Sequence, residues 1–342
     1  MNKKKKIAVA LSGGVDSSYC VYLLSKRYKV EAFTLKIPFM PSDYIERAHY
    51  ICKKIGIIHH VIDVEKEFPS LIVNYFIESY LQGFTPNPCA LCNRLVKFGL
   101  LIEIVKKKGF RLFATGHYAS LIKKNRQVYL AASKADKNSQ EYFLALVPKE
   151  TFKMCIFPLS NYTKDEVKRK AKDFYPFKVS SSQEVCFIRH KDYRGFILEH
   201  AKKSNFCYGY IRYRDGKVLG RHSGIHNFTY GQRQGLGISW KSPLYVFDIN
   251  PTTGDVFVAE KEYAFKKDFF VGSINWFYPP KDYINISVRL RYNSNPLSCK
   301  IKLINKKRVK CTLYEKKDIP SYGQVAVFYD EKRVIAGGVI ER

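Results

Sequence analysis

The sequence predicts an α/β protein: an N-terminal doubly wound parallel sheet, a small central domain and a C-terminal antiparallel β-barrel. Three observations predict it. Strand-like and helix-like patterns alternate from Lys6 to about Ala119. After about residue 205 long helical patterns give way to short strands. From about residue 268 six short apolar runs follow one another with turns between them. The implied domains are 1–190, 191–265 and 266–342.

The elements follow in order. "KIAVAL" (6–11) reads as a buried strand, and "DSSYCVYLLSKRY" (16–28) as a helix with Val21 and Leu24 on one face. "KVEAFTLKI" (29–37) is a strand, and "DYIERAHYICKKIG" (43–56) a helix closed by Gly56. "HHVIDV" (59–64) is again a strand; helices follow around 68–81 and 91–108, then the strand "RLFATGHYA" (111–119). "CYGYIRYRDGKVLGRH" (207–222) reads as short strands joined at Asp215-Gly216. The runs beginning at 269, 284, 299, 310, 324 and 333 are the barrel strands. Strands alternating with helices imply a parallel sheet, whose ligands sit beyond the carboxyl ends of the strands.

The chain has 342 residues, 46% of them hydrophobic, enough for two or three cores. Lysine and arginine outnumber acidic residues 59 to 30, a net charge of +29 spread along the whole chain. That excess favours a polyanionic partner, nucleic acid above all, over a merely solvated surface. No run of eighteen apolar residues exists to span a membrane, and the basic start runs into a short strand instead of a signal-peptide core. A cytoplasmic location is expected. Nine widely spaced cysteines form no disulfide framework, which fits a reducing compartment.

Between the first strand and first helix lies Ser12-Gly13-Gly14-Val15-Asp16-Ser17. Glycines let backbone amides approach an anion, and the following helix points its positive end at the same place. Ser12 and Ser17 add hydroxyls, and Asp16 suits a magnesium ion beside phosphates. The lysine of a kinase-type loop is missing. A tight turn that merely needs glycine is the plain alternative; the strand before and the helix after argue against it.

"TPNPCALCNRLVKFG" (85–99) holds Cys89 and Cys92. A zinc site lacks its second pair: His222 and His226 lie 130 residues further on. A dithiol redox pair fits an α/β context better, but no second redox feature follows. Sulfur handling together with Cys186 is the third reading; taken alone, Cys186 at the head of an apolar strand-like run is an ordinary core thiol.

The strings "SGGVDS", "TPNPCALCNRLVKFG", "ATGHYA" (114–119), "SQEYFL" (139–144), "SQEVCFI" (182–188), "HNFTYGQRQGLGIS" (226–239), "RLRY" (289–292) and "GQVAVFYDEKRVIAGGVI" (323–340) span nearly the whole chain. Together they resemble the bacterial tRNA-specific 2-thiouridylase (MnmA/TrmU) family of the PP-loop ATP pyrophosphatase superfamily. The resemblance implies a sulfurtransferase that replaces oxygen by sulfur at C2 of the wobble uridine in tRNA, splitting ATP to AMP and pyrophosphate. It implies an adenine nucleotide alpha hydrolase-like first domain, a central tRNA-contacting domain and a C-terminal β-barrel.

Residue by residue, the resemblance makes Cys186 the persulfide cysteine and Cys92 the second catalytic cysteine, joined by a disulfide as the product leaves. Ala10, Leu11, Ser12, Gly13, Gly14, Val15, Asp16, Ser17, Leu35 and Gly116 fall at ATP contacts. Asn87, Pro88 and Cys89 fall where the target base is held. Asn138, Ser139 and Gln140, with Arg291 and Tyr292, fall at tRNA contacts. The implied cofactors and partners are ATP, Mg2+, tRNA and a sulfur-relay donor protein that supplies persulfide; a monomer is expected. If Cys92 begins the 91–108 helix, the helix dipole lowers its pKa from about 8.5 toward neutrality.

Two departures stand out. Many members carry aspartate at position 89, and Lys-Asp-Gln where this chain has Asn138-Ser139-Gln140. An iron–sulfur cluster on Cys89, Cys92 and Cys186, as in some other tRNA thiolases, is an alternative and not the favoured one. A tRNA-binding module without catalysis and another adenylating synthetase are the rival functions; intact loop and thiols oppose the first, and the basic excess the second.

Overall fold

Ile7, Ala8 and Val9 are fully buried in the first strand, β1 (Lys6–Ala10), which has a parallel neighbour on each side. The computed structural model describes residues 4–125, 127–134, 138–178, 185–188, 192–202 and 205–342. Its contacts divide the chain into two units. Met1–Leu71, Cys89–Arg189 and Lys332–Val334 form the first; Ile72–Pro88, His190–Glu331 and Ile335–Arg342 form the second.

In chain order, β1 leads into α1 (Val15–Ser25), β2 (Lys29–Lys36), α2 (Asp43–Ile55) and β3 (Ile58–Asp63). The chain then passes through the second unit, which holds α3 (Asn74–Leu81). It returns with α4 (Pro88–Cys92), a π-helical run Asn93–Leu100, α5 (Leu101–Lys107) and β4 (Phe113–Thr115). A hairpin β5 (Ser120–Lys124) and β6 (Gln127–Ala131), then α6 (Glu141–Leu144), β7 (Cys155–Ile156) and α7 (Lys164–Ala171) complete the first unit.

Its sheet runs β3-β2-β1-β4-β7 with every pairing parallel. Cys20, Val21 and Leu24 of α1, and Ala48 and Cys52 of α2, share one core with Ile7 and Val9. The helix α2 ends as expected: Gly56 adopts φ 76°, and the amides of Gly56 and Ile57 both reach the Cys52 carbonyl, at 2.9 and 3.0 Å. Strand order reverses at β1, between β2 and β4, so the loops after β1 and β4 open at the position where such sheets take ligands.

Four details differ from the sequence expectation. The strand expected over 111–119 is only Phe113–Thr115, because the chain turns to lay Gly116 on α1: a Cβ there would lie 2.9 Å from the Ser17 backbone nitrogen. The two-residue strand β7 is too short to leave a pattern, and the β5–β6 hairpin was not anticipated. The helix expected from 91 begins at Pro88, which suits a first helical position because proline has no amide to leave unpaired.

In the second unit α8 (Tyr193–His200) precedes β8 (Gly209–Tyr213) and β9 (Val218–His222), a hairpin turning at Asp215-Gly216 with Gly216 at φ 92°. They join β10 (Tyr245–Ile249) and β11 (Val256–Ala259) in a sheet ordered β10-β11-β8-β9, followed by α9 (Lys261–Ala264). Six strands then form a closed barrel: β12 (Asp268–Trp276), β13 (Tyr283–Arg289), β14 (Leu297–Asn305), β15 (Arg308–Leu313), β16 (Val325–Asp330) and β17 (Arg333–Glu341). The order is β12-β15-β14-β13-β16-β17, and β17 pairs back on β12. Closure leaves no open edge, and Val271, Val288, Ile301, Val309 and Phe328 fill the interior. All six barrel strands match the runs expected from the sequence.

Candidate active site

The nucleotide loop is held from inside by its own hydroxyls. The Ser12 amide donates to Ser17 Oγ at 3.1 Å, and the Ser17 and Ser18 hydroxyls donate to the Gly14 carbonyl at 3.0 and 2.9 Å. Gly13 has φ 72°, and a Cβ on it would sit 2.2 Å from the Tyr44 carbonyl oxygen, so only glycine fits. Tyr175 donates to the Gly13 carbonyl at 2.9 Å. Gly14 is the N-cap of α1, so the amides of Val15, Asp16 and Ser17 belong to a first turn without intrahelical acceptors. Ser12 is exposed, whereas Leu11, Val15 and Ser17 are buried. Ala10 ends β1 between Phe33 and Thr115, and the Leu35 carbonyl accepts from the Tyr44 hydroxyl at 3.1 Å.

Asp16 is half-buried, and burial raises its carboxyl above the usual range. The Tyr118 hydroxyl opposes that rise most, donating to Asp16 Oδ1 at 2.6 Å; Lys164 and Lys168 also oppose it. Asp16 stands at the start of α1 with Lys164 and Lys168 acting on it, the position from which a carboxylate shares a cation with phosphates. Two lysines, a glycine-lined turn and a helix N-terminus fit the phosphates of ATP.

The thiols are built differently. Cys89 and Cys92 lie in α4, and Cys186 in a turn at 186–187. Ser182, Gln183 and Glu184 of the Cys186 motif lie outside the described residues. Cys186 is exposed and Cys89 half-buried, while Cys92 is only 9% exposed. The three sense one another. Burial pushes Cys89 up to about 11, with Cys186 adding to the rise and Lys97 opposing it. Burial pushes Cys92 up to about 12, against Lys97, with Cys186 and Cys89 adding to it. Cys186 reaches solvent, yet the protein around it still raises its pKa by desolvation; Lys97 and the backbone amides of Cys186 and Phe187 pull the other way.

This corrects the expectation for Cys92. It ends the first turn of the helical run instead of opening it, and burial raises its pKa. It corrects Cys186 as well, which sits in a turn and not at the head of a strand. All nine cysteines are free thiols, and six of them are buried. Among the described residues no group of three His, Cys, Asp or Glu is arranged to hold a metal ion. His222 is engaged with the Gly254 carbonyl at 2.8 Å and the Gly224 amide at 3.1 Å.

The residues expected at tRNA contacts are buried or half-buried. Ser139 is 1% exposed, its hydroxyl accepting from the Ser133 amide at 2.8 Å and bonded to Glu141. Gln140 brackets Tyr118: its amide donates to the Tyr118 carbonyl at 2.6 Å, and its Oε1 accepts from the Tyr118 amide at 3.0 Å. Asn138 is half-buried beside them. In the second unit, the Arg291 guanidinium reaches Asp318 at 2.7 Å and both the Ile319 carbonyl and Ser321 Oγ at 3.0 Å. These bonds tie Arg291 to the 318–321 segment, and its guanidinium already faces a carboxylate. Tyr292 next to it is half-buried. Asn87 and Pro88 are buried; the Asn87 side chain donates to Gln324 Oε1 at 3.3 Å, and Gln324 donates to the Pro86 carbonyl at 3.2 Å.

Sequence reasoning missed Lys97, Tyr118, His117 and Gln324. Lys97 follows Cys92 by five residues, the spacing that a π-helical turn brings onto one face. His117 follows Gly116, pairs with the Thr115 hydroxyl at 2.8 Å, and is held neutral, its pKa pushed down to about 3 by burial and by Lys97. Tyr118 and Gln324 stood inside quoted strings, but nothing in their neighbours' identities announced their partners.

Three family models match in succession: "tRNA methyl transferase HUP domain" over residues 5–190, "tRNA methyl transferase PRC-barrel domain" over 194–260, and "Aminomethyltransferase beta-barrel domain" over 266–340. Curated relatives match from end to end. A protein of Trichlorobacter lovleyi named tRNA-specific 2-thiouridylase MnmA is 38% identical, with 98% of this chain and 97% of the relative covered. Proteins of the same name from Pelobacter propionicus and Aquifex aeolicus are 37% and 36% identical, each covering 98% of this chain and 97% and 99% of the relative. A match of that extent, on a chain with this loop and these three thiols, means that the chain belongs to the tRNA-specific 2-thiouridylase MnmA family.

Proposed function

We propose that the protein is a tRNA-uridine 2-sulfurtransferase that adenylates the C2 oxygen of the wobble uridine and replaces it with sulfur. The observation that carries this reading is the gathering of Cys89, Cys92 and Cys186 in the unit that also holds the glycine loop. A nucleotide loop alone suits any adenylating enzyme. Mutually interacting thiols in the same unit suit one that delivers sulfur.

In this reading the loop amides and α1 would hold ATP phosphates, and Asp16 would hold magnesium, which would neutralise phosphate charge. The uridine C2 oxygen attacks the α-phosphate and pyrophosphate leaves. Oxygen on C2 is a poor leaving group, and AMP is a good one. The terminal sulfur of a persulfide on Cys186 attacks C2 and displaces AMP, joining the base to Cys186 through two sulfurs. The Cys92 thiolate then attacks the Cys186 sulfur; a Cys92–Cys186 disulfide forms and 2-thiouridine is released. An external reductant reopens the disulfide, and a donor protein reloads the persulfide. The roles fit the exposures: the thiol loaded from outside is the exposed one, and the resolving thiol is buried.

The proposal includes a monomer that acts in the cytoplasm on tRNA, with residues 1–190 for adenylation and thiolation, 191–265 and 266–342 for tRNA. Among the described residues no helix is long and apolar enough to cross a membrane. The test is to incubate the protein with tRNA, magnesium ATP and a persulfide source, then analyse nucleosides by mass spectrometry. 2-Thiouridine should appear with an equivalent of AMP, and AMP only when tRNA is present. AMP formation without tRNA, or with no sulfur in the nucleosides, would overturn the reading in favour of another adenylating enzyme.

A further inference from the structure

Tyr118 is 0% exposed and spans two parts of the first unit. Its hydroxyl donates to Asp16 Oδ1 at 2.6 Å. Its backbone is fixed at both polar atoms by Gln140, whose amide reaches the Tyr118 carbonyl at 2.6 Å and whose Oε1 takes the Tyr118 amide at 3.0 Å. Gln140 is fixed in turn by its neighbours: Ser139, 1% exposed, takes the Ser133 amide at 2.8 Å and is bonded to buried Glu141. The Tyr118 ring packs with Val15, Tyr19 and Val167, so the phenol cannot swing away without disturbing that core. Gly116, two residues earlier, lies against the backbone of Ser17 because a glycine there leaves 2.9 Å of room for nothing larger. One short segment therefore sets both the first turn of α1 and the carboxylate on it.

We propose that Tyr118 is a positioning residue for Asp16: it holds one carboxylate oxygen so that the other faces the metal-bound phosphates, and Ser139 and Gln140 hold Tyr118. The inference rests on the reading of Asp16 as the magnesium residue. Tyr118 touches neither ATP nor metal in this assignment. A free aspartate on a half-exposed helix turn samples several rotamers, and a single buried donor at 2.6 Å selects one. The hydrogen bond is charge-assisted and shielded from water, so it outweighs a neutral one. It also gives the buried segment 138–140 a role besides RNA contact.

The test measures equilibrium ATP binding without tRNA, in magnesium and in EDTA, for the wild type, Tyr118→Phe, Asp16→Asn and the double variant. Tyr118→Phe keeps the ring in its core and removes only the donor. The expected result is about a tenfold loss of affinity in magnesium with affinity in EDTA unchanged. The double variant should be no weaker than Asp16→Asn alone, since both substitutions remove one arrangement. Gln140→Ala, which keeps the hydroxyl and loosens its backbone, should show the same magnesium-specific loss to a smaller degree, and serves if Tyr118→Phe melts early. Equal losses in magnesium and EDTA would reduce Tyr118 to a packing residue and overturn the inference, as would no loss at all. If Asp16→Asn keeps the wild-type magnesium dependence, the metal reading of Asp16 fails, and this inference with it. If only Asp16→Asn loses it, that reading stands and the inference alone falls.

Discussion

The glycine loop and the thiol cluster lie in one unit and are assembled in opposite ways. In the loop, residues 12–18 bond chiefly to one another, and the two side-chain bonds that hold Gly14 come from hydroxyls three and four residues away. The hydroxyl bonds are local and close within a single helical turn, with Tyr175 and Tyr118 added from distant segments on Gly13 and Asp16. In the cluster, Cys92 and Cys186 stand 94 positions apart in sequence, and Lys97 opposes the charge-disfavouring burial of all three thiols from a third place in the helix. A local motif can be rigid before the rest of the fold forms. A cluster assembled from distant segments takes its electrostatics from whatever packs around it, and here packing raises thiol pKa values that a lone helix terminus would lower.

The largest effect that would sharpen this comparison is loss of sulfur transfer with the loop intact. Cys186→Ser should abolish 2-thiouridine formation while pyrophosphate still forms in one turnover and tRNA binding is unchanged; Cys92→Ser should stop at base joined to protein. Thiolation by the Cys186 variant at the wild-type rate would dissolve the cluster as a functional unit. The next effect is on pH. With the Cys92 thiol pushed up to about 12, its reactive anion is a small fraction near neutrality and grows with pH. Release of 2-thiouridine from persulfide-loaded protein in a single turnover should therefore rise about tenfold per pH unit between 7 and 9. A plateau near pH 7 would mean that a lowered pKa prevails after all.

Breaking the loop instead should leave the thiols alone. In Gly116→Ala the methyl meets Ser17 Cα and N at 2.9 Å, backbone that moves only if α1 moves. About 1–3 kcal/mol of strain is expected, seen as roughly a tenfold weaker ATP affinity with unchanged alkylation of Cys186 by iodoacetamide. An unchanged ATP affinity would show that the turn beside Gly116 does not shape the nucleotide site. The smallest effect concerns Cys89, half-buried between the two regions of chemistry in sequence but electrostatically part of the cluster. Cys89→Asp should retain activity within a few-fold, because persulfide transfer needs only Cys92 and Cys186. Protein purified without oxygen would be assayed for iron and visible absorbance alongside. Stoichiometric iron that is lost with activity in Cys89→Asp would make the thiols ligands of an iron–sulfur cluster.

By itself the sequence determined the features that depend on neighbours along the chain. Alternation of apolar runs announced β1, β2 and β3 with their crossing helices, and six evenly spaced runs announced the barrel, because a two-residue or 3.6-residue period is written in consecutive residues. Glycine at 13 and at 56 could be read the same way, since each answers to a local backbone angle that other residues resist. Only the tertiary structure decided the rest. The shortness of β4 follows from where Gly116 must land, and β7 exists because β4 offers it an edge. Arg291 looks like a free cation until Asp318, 27 positions away, takes its charge. Tyr118 looks like any buried aromatic until Asp16, 102 positions away, receives its hydroxyl. Burial and hydrogen-bond partners are properties of segments that meet in space, and a thiol's or carboxylate's pKa is set by the water it loses on that meeting.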